Sequence, residues 1–267
     1  MELLTPEEKS LGDRFLEAGH LIVDAEDTEA LAEIRMSAAK LASDFLGVDR
    51  YADVDSFLND ISTYVDADGL NALRLTVING LNTQPWFRPS YFSLVRSALS
   101  NLVGNELAMQ RRVNLSIQLP DDDSSLLPVH ADVWDGDSPF EVVVWVPLVD
   151  CYRTKSMYLL EPSRDREVQS TLQQFNRSNA EEIYQIVADE VKFVEIAFGQ
   201  ILIFSQTLMH GNRINVEKET RWSMNCRFKS VMSPYADKRL GEFFEPITLR
   251  PATRMGLEYQ LPGDFDG

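Results

Sequence analysis

The chain has 267 residues, of which 44% are hydrophobic and 25% are charged, a composition typical of a folded protein with a substantial core. Acidic residues outnumber basic ones by 42 to 25, and the resulting formal charge of -17 repels nucleic-acid phosphates and anionic lipid surfaces. We therefore expect neither nucleic acid nor a membrane as a partner. The sequence shows no leader-like segment, so we also expect a cytoplasmic protein.

No linker rich in glycine, serine or proline divides the sequence. We predict a single domain over residues 1–267, with a mostly helical layer at 1–105 and a β-rich core at 106–267. The two cysteines, Cys151 and Cys226, lack the short paired spacing of a disulfide framework or a zinc site, and we interpret both as buried, inert thiols. The oligomeric state is left open.

The amino-terminal part predicts helices and one strand. Residues 5–8, Thr-Pro-Glu-Glu, fit a capped helix start, and the helix should reach about Ala18. The short apolar run at 20–23 predicts a strand, and Asp27-Thr28-Glu29 then opens a second helix. The expected buried face of that helix consists of Leu31, Ile34, Ala38, Leu41 and Phe45. Farther on, we predict a helix from about Pro89 to Val103.

From about residue 109 the pattern changes to short β-rich runs. They are RRVNLSIQL, FEVVVWVPL, SMYLLEP, VKFVEIAFG, QILIFSQ and RWSMNCRFKSV. A capped helix beginning at Ser178, with Glu181 three residues later, should interrupt them. Many short strands after a helical start favour an α+β, mainly β fold, in which the helices cover the outer face of one sheet of a two-sheet barrel.

Two of the three histidines suggest a metal site. In an extended strand His130 and Asp132 project to the same face, while Ala131 points the other way. His210 follows a strand and precedes a polar, glycine-containing turn, so it can project at the mouth of the barrel. Two histidines and one carboxylate occupy one face of an octahedral ion and leave three positions open, as in non-haem iron(II) oxygenases. His20 lies in an apolar run and is interpreted as a histidine at the edge of the core.

Alternation in two β-rich runs predicts the walls of a pocket. In 220–230, Arg221, Ser223, Asn225, Arg227 and Lys229 share one face, opposite Trp222, Met224, Cys226 and Phe228. In 111–119, Asn114, Ser116 and Gln118 form a second polar face. A lumen lined by cations favours an anionic ligand, and an arginine fork suits a dicarboxylic keto acid whose other end chelates the metal. Iron, one aspartate, such a keto acid and one arginine together carry no net charge.

The segments HAD at 130–132, HGNRIN at 210–215 and RWS at 221–223 resemble the iron(II)- and 2-oxoglutarate-dependent oxygenases, in particular the phytanoyl-CoA dioxygenase-like branch. The resemblance spans most of the chain and implies a double-stranded β-helix, the cupin-like jelly roll. Arg221 stands eleven positions after His210, where this family keeps its 2-oxoglutarate arginine. The resemblance assigns His130, Asp132 and His210 as iron ligands, Arg221 and Ser223 as the carboxylate clamp, and Asn114 and Gln118 as weaker cofactor contacts.

The activity implied by the resemblance is a hydroxylation that uses Fe(II), O2 and 2-oxoglutarate and releases succinate and CO2. Related halogenases carry a small residue in place of the metal-binding carboxylate, so the presence of Asp132 favours hydroxylation. The substrate is expected to be a small polar metabolite, such as a sugar or a natural-product intermediate.

Three further residues are predicted to contact the substrate: Trp134, Arg227 and Lys229. The two cations make an anionic or polyhydroxylated substrate plausible, and Arg227 is also an alternative clamp for the keto acid. The acidic run at 121–123 is interpreted as a solvated loop that can act as a lid. The competing hypothesis is a non-catalytic jelly-roll module that binds a sugar or acyl ligand. A cupin that needs no keto acid usually uses more histidines than this chain supplies.

Overall fold

The computed structural model describes residues 3–49, 52–172 and 180–261. Its amino-terminal part is helical, as predicted. The elements are α1 (Pro6–Ala18), β1 (His20–Asp24), α2 (Thr28–Leu46), α3 (Val54–Asn59), α4 (Ala67–Asn82), α5 (Phe87–Ser93) and α6 (Arg96–Leu102). The capping box of α1 is confirmed, because the Thr5 hydroxyl accepts the Glu8 N–H at 3.2 Å and the Glu8 carboxylate accepts the Thr5 N–H at 2.8 Å.

The buried face predicted for α2 is correct in its first half only. Leu31, Ile34 and Ala38 are buried, but 42% of Phe45 is exposed. The buried stripe continues from Ala38 to Ala42, one turn further along the same side of the helix, so Phe45 lies beside the stripe instead of within it. The prediction for Phe45 is therefore wrong.

The single helix predicted from Pro89 to Val103 is also wrong, because the chain breaks between α5 and α6. Val95 leaves the helical region with φ of -146° and ψ of 27°, and its side chain is fully buried. The Glu26 carboxylate accepts the backbone N–H groups of Ser97 and Ala98 and so caps the start of α6. A residue some 70 positions away in the sequence thus stabilises the break.

The second part of the chain carries most of the strands. They are β2 (Leu107–Gln110), β3 (Asn114–Gln118), β4 (Glu141–Pro147), β5 (Tyr158–Leu159), β6 (Lys192–Phe193), β7 (Gln200–Ser205), β8 (His210–Gly211), β9 (Arg221–Ser230) and β10 (Phe244–Pro246). Helices α7 (Pro162–Thr171), α8 (Ala180–Val187) and α9 (Pro251–Glu258) complete this part. Ser178, the predicted cap of α8, lies outside the described residues.

The strands form two antiparallel sheets. The larger sheet has the order β1-β7-β4-β9-β2-β10, and β3 pairs with the first half of β9. The smaller sheet has the order β6-β5-β8. The α+β class is confirmed, but "mainly β" is wrong, because 42% of the structure is helical. In the described part of the chain the strands form two separate sheets and no closed jelly roll. Each strand of the smaller sheet is only two residues long.

The helical layer packs on one face of the larger sheet. The Tyr91 hydroxyl of α5 donates to the Val144 carbonyl of β4 at 2.8 Å, and the Trp222 indole of β9 donates to the Leu58 carbonyl of α3 at 2.9 Å. Trp222, Met224, Cys226 and Phe228 are all fully buried on this side. The opposite face of β9 is therefore free to line the space between the two sheets.

Both cysteines are buried, as predicted, and burial raises the pKa of each thiol to about 12. They are therefore inert at neutral pH. Within the described residues, no helix is long and apolar enough to cross a membrane.

Candidate metal centre

An antiparallel backbone bridge brings the two predicted metal-binding histidines together. The N–H of His130 donates to the His210 carbonyl at 3.0 Å, and the N–H of His210 donates to the His130 carbonyl at 2.8 Å. The two imidazole centroids are consequently 4.3 Å apart. Residues paired in this way between two antiparallel segments project their side chains to the same face, so the bridge itself fixes the histidine pair.

Hydrogen bonds from the chain orient each imidazole in the same way. Nδ1 of His130 lies 2.8 Å from the Pro128 carbonyl, and Nδ1 of His210 lies 2.9 Å from the Leu208 carbonyl. A carbonyl can only accept, so Nδ1 carries the proton in the neutral form of each ring. The Nε2 lone pairs are then free for a metal ion, and the backbone carbonyls act as the outer partners that metal-binding histidines need.

Asp132 supplies the third donor. Its Oδ1 lies 3.5 Å from Nε2 of His130 and 3.9 Å from Nε2 of His210. The three donor atoms all lie within 4.8 Å of one another. The expectation that this carboxylate lies on a strand is wrong, because Asp132 begins a 3-10 turn that runs to Asp135. The turn still directs the carboxylate towards both imidazoles.

Burial and neighbouring charges set the protonation of these three groups. Burial favours the neutral form of Asp132, but His130, His210 and Arg227 outweigh it and lower the pKa of the carboxyl well below its usual range. Burial, helped by the charge of His130, lowers the pKa of His210 to about 4. Burial also disfavours the charged form of His130, yet contacts with Asp132 and the Pro128 carbonyl leave its pKa raised. At neutral pH the group thus offers a carboxylate and a neutral His210, two states that a metal ion requires.

A glycine next to His210 allows the smaller sheet to pack closely at this point. A Cβ atom on Gly211 would lie 2.6 Å from the Tyr158 hydroxyl and 2.8 Å from the Leu127 carbonyl, closer than real Cβ contacts. A larger residue would therefore push β8, and His210 with it, away from β5.

The three donors open into a cavity of about 290 Å³ between the two sheets. Its polar lining is supplied by Asn114, Ser116, His130, Asp132, Asp135, Asp137, His210, Asn212, Arg221, Ser223, Asn225, Arg227 and Lys238. The apolar lining includes Leu127, Val143, Trp145, Met157 and Phe204. A cavity of this size with convergent polar groups is suited to a small molecule.

Arg221 lines this cavity as a buried cation without an anion. Only 4% of the residue is exposed, and one of its terminal nitrogens donates to the Ser116 hydroxyl at 3.0 Å. No carboxylate in the described part of the chain forms an ion pair with it, and its Nε has no hydrogen-bond partner. Burial lowers the pKa of Arg221 to about 10, so the guanidinium stays charged at neutral pH.

Of the other predicted cofactor contacts, two line the cavity and one does not. The buried Ser223 hydroxyl has no partner, and Asn114 donates from its side chain to the Asn225 side chain at 3.0 Å. Gln118 pairs with Arg221 across β3 and β9, but its side chain is fully buried outside the cavity lining. Its amide donates to the Arg213 carbonyl at 2.6 Å.

The predicted substrate contacts have different surroundings. Arg227 lines the cavity, but its guanidinium lies 3.1 Å from Asp132 and 3.2 Å from Asp137. Lys229 is fully buried outside the cavity lining, where it donates to the Pro234 carbonyl and lies 3.4 Å from the centroid of the Tyr235 ring. Trp134 is 40% exposed and is also absent from the lining.

Sequence reasoning missed three charged residues of the cavity lining, Asp135, Asp137 and Lys238. Asp137 is 3% exposed and receives an ion pair from Lys238, which also lines the cavity. Asp137 belongs to the DVWDGD segment after the HxD motif, and this acidic spacing was its only signal. Lys238 lies in an irregular segment near the carboxyl terminus, where the sequence gives no periodic signal.

Three solved structures have a fold similar to that of this chain. The non-heme monooxygenase ThoJ, in a nickel complex, has a TM-score of 0.55 at 17% identity, over 90% of this chain and 84% of that one. EctD from S. alaskensis, with 2-oxoglutarate and 5-hydroxyectoine, gives 0.55 at 15% identity, over 87% and 78%. The non-heme alpha ketoglutarate dependent epimerase SnoN from nogalamycin biosynthesis gives 0.50 at 15% identity, over 98% and 92%.

No family model matches the sequence, and no curated protein matches it significantly. At such low identity the solved structures establish only a shared fold. The group of three metal donors is a property of this chain's own geometry. The chain therefore shares its fold with these three proteins, and it carries a His-Asp-His group of the kind predicted from the sequence.

A buried carboxyl behind the site makes stability depend on pH. Glu141 is 2% exposed and accepts hydrogen bonds from the Ser138 N–H and the Gln206 side chain. Burial is the main cause that raises the pKa of Glu141 from 4.5 to about 7; the charge of Asp137 adds to the rise, and the hydrogen bonds from Ser138 and Gln206 offset part of it. Between these two values the folded state binds more protons than the unfolded state, so this contribution to stability falls as the pH rises through that window.

We predict that Glu141→Gln flattens this dependence. Between pH 5 and pH 8 the unfolding free energy of the unsubstituted protein should fall by about 1–2 kcal/mol more than that of the variant, because glutamine has no proton to lose. Urea denaturation of both proteins at the two pH values measures the difference. The control is Glu242→Gln, whose side chain is exposed. An equal change with pH in all three proteins would contradict the assignment to Glu141.

Proposed function

We propose that the protein is an Fe(II)- and 2-oxoglutarate-dependent dioxygenase. It would hydroxylate an unactivated C–H bond of a small polar metabolite and release succinate and CO2. The observation that supports this most strongly is the placement of Arg221, a buried cation without an anionic partner, in the same cavity as the three metal donors. A protein tolerates such a charge where a bound anion neutralises it.

The donor set fits ferrous iron. Two imidazoles and one carboxylate leave three coordination positions open, whereas a structural zinc site is closed by four protein ligands. Bound iron supplies the activation of O2 and the coupled oxidation of keto acid and substrate. The chain's own contribution is to hold the donors in place, through the His130–His210 bridge and the two Nδ1 contacts, before a metal arrives.

The orphaned polar atoms fit a carboxylate. Nε of Arg221 and the hydroxyl of Ser223 are both buried without hydrogen-bond partners, and both residues line the cavity. They lie two positions apart on β9 and therefore face the same side. A dicarboxylic keto acid can accept from both with its far carboxylate while its keto-acid end reaches the metal.

The cavity's charges favour a substrate without net charge. Three carboxylates, Asp132, Asp135 and Asp137, balance three cations, Arg221, Arg227 and Lys238. Iron and the 2-oxoglutarate dianion add no net charge to this set. The cationic lumen expected from β9 is thus largely neutralised, because Arg227 pairs with two aspartates. The remaining polar lining consists of amides and hydroxyls, which suit a neutral, hydroxyl-rich molecule.

The alternative, a non-catalytic module that binds a sugar or acyl ligand, accounts less well for these features. Such a module needs neither an intact three-donor group nor an unpaired buried arginine beside it. Formation of succinate from 2-oxoglutarate by the purified protein with added Fe(II) separates the two hypotheses.

We predict that His130→Ala, Asp132→Ala and His210→Ala each reduce succinate formation to background, because two donors cannot hold the metal in position. His20→Ala is the matched control, since His20 lies on β1 and contacts the Ala18 carbonyl, away from the cavity. Succinate released per minute is the measurement. Full turnover in any of the three variants would rule out the proposed centre.

We predict a different effect for Arg221→Met. The KM for 2-oxoglutarate should rise about 10- to 100-fold, because a charge-assisted pair to a buried carboxylate is lost. Loss of an unpaired buried charge should leave the unfolding free energy of the metal-free protein unchanged or higher. Initial rates and urea denaturation test both parts, with Arg164→Met on α7 as the control. An unchanged KM would show that Arg221 does not hold the keto acid.

The charge balance of the cavity predicts the outcome of a paired substrate screen. Each neutral hydroxylated compound is compared with its carboxylate and its phosphate ester for stimulation of succinate formation. Stimulation should come from the neutral members, since an added charge would be buried without a counterion. A screen in which only anionic members stimulate turnover would contradict the proposed substrate class.

A further inference from the structure

A chain of alternating charges runs from the metal group to the carboxyl-terminal segment. Arg227 contacts Asp132 at 3.1 Å and Asp137 at 3.2 Å, and Lys238 forms an ion pair with the other oxygen of Asp137. The side chain of Asp137 is 1% exposed and that of Arg227 is 14% exposed. These charges are therefore shielded from water, and their mutual attraction is stronger than at the surface.

Arg227 is itself held firmly from two further sides. Its Nε donates to the Gln206 side chain at 3.2 Å, and its Nη1 lies 3.4 Å from the Gln110 side-chain oxygen. The same oxygen of Gln110 accepts the backbone N–H of Arg227 at 3.2 Å. Gln206 in turn donates to Glu141. The guanidinium is thus fixed relative to the larger sheet before anything binds in the cavity.

The Asp132 carboxylate, in contrast, receives little support from its own element. The 3-10 turn from Asp132 to Asp135 has no side-chain cap, and Asp132 is its first residue. Its two imidazole contacts are 3.5 and 3.9 Å long, so the 3.1 Å contact with Arg227 is the shortest of the ion contacts it makes in the described residues. The orientation of the carboxylate therefore depends on a residue of β9.

We propose that Arg227 is a positioning residue for the metal centre: it holds the Asp132 carboxylate towards the two imidazoles instead of binding the substrate or the keto acid. The inference rests on the proposed function, because it assigns Asp132 as a metal ligand. A guanidinium can bind two carboxylates at once through separate nitrogens, which a lysine ammonium does with poorer geometry.

The outer end of this chain of charges ties the centre to residues 233–238. The Ser138 hydroxyl donates to the Pro234 carbonyl at 2.7 Å, and the Asp237 N–H donates to the Gly136 carbonyl at 3.2 Å. Gly136 has φ of +84°, and a Cβ there would lie 2.6 Å from the Asp237 carboxylate. The turn that carries Asp132 is thereby packed directly against the segment that carries Lys238.

The test measures metal affinity directly. Removing a side chain that orients a metal ligand typically lowers metal affinity about 10- to 100-fold. Arg227→Met should therefore raise the Kd for Fe(II), measured without O2, by about that factor. Arg227→Lys should give an intermediate Kd, because the charge is kept and the second contact is lost. The visible spectrum of bound Co(II) should change in both variants, since the carboxylate is no longer fixed.

Two control variants separate positioning from general effects. Arg221→Met removes a cation from the same cavity without a contact to Asp132, and it should keep the Fe(II) Kd within about twofold while raising the KM for 2-oxoglutarate. Arg164→Met on α7 removes ion pairs to Glu167 and Glu190 and should change neither quantity. With saturating Fe(II), Arg227→Met should retain the original KM for 2-oxoglutarate.

A folded Arg227→Met variant with an unchanged Fe(II) Kd would overturn the inference and leave the proposed function intact. If this variant does not fold, Arg227→Lys decides, and a Kd within twofold of the original value overturns it. A protein without substitutions that binds no Fe(II) would overturn both. A raised KM for 2-oxoglutarate with an unchanged metal Kd in Arg227→Met would instead make Arg227 a keto-acid contact.

Discussion

The candidate site depends on the antiparallel backbone bridge between His130 and His210. Two N–H groups and two carbonyls, paired at 3.0 and 2.8 Å, hold two residues 80 positions apart with their rings on one face. The Pro128 and Leu208 carbonyls then fix the same tautomer in both rings. The arrangement of the two imidazoles is thus set by main-chain hydrogen bonds, whereas the third donor, Asp132, also depends on the side chain of Arg227.

Two arginines on one face of β9 have different surroundings, and this difference distinguishes their roles. Arg221 is buried with its Nε unpartnered, near the unpartnered hydroxyl of Ser223, and no carboxylate in the described part of the chain forms an ion pair with it. Arg227, six residues later, contacts Asp132, Asp137 and two glutamines. Both side chains carry the same charge, so the positions of the aspartates decide which arginine remains available to an anion.

Much of the fold could be predicted from local patterns, and the errors have identifiable causes. The capping box at Thr5 and the alternation in β9 depend on neighbours in the sequence, and both are confirmed. The break between α5 and α6 depends on Glu26, and the burial of Lys229 depends on the 233–235 segment, which supplies two carbonyls and an aromatic ring. Contacts of this kind leave no periodic signal.

The sequence by itself determined which side chains have metal-binding chemistry and which face of β9 is polar, because residue type and strand periodicity are properties of the chain. Only the tertiary structure decided that Asp132 lies on a turn, that Gln118 and Trp134 fall outside the cavity lining and that Arg227 is neutralised. The physical reason is that an electrostatic partner is defined by distance in space. The groups that surround Arg227 come from positions 110, 132, 137 and 206, which only the folded chain brings within 4 Å.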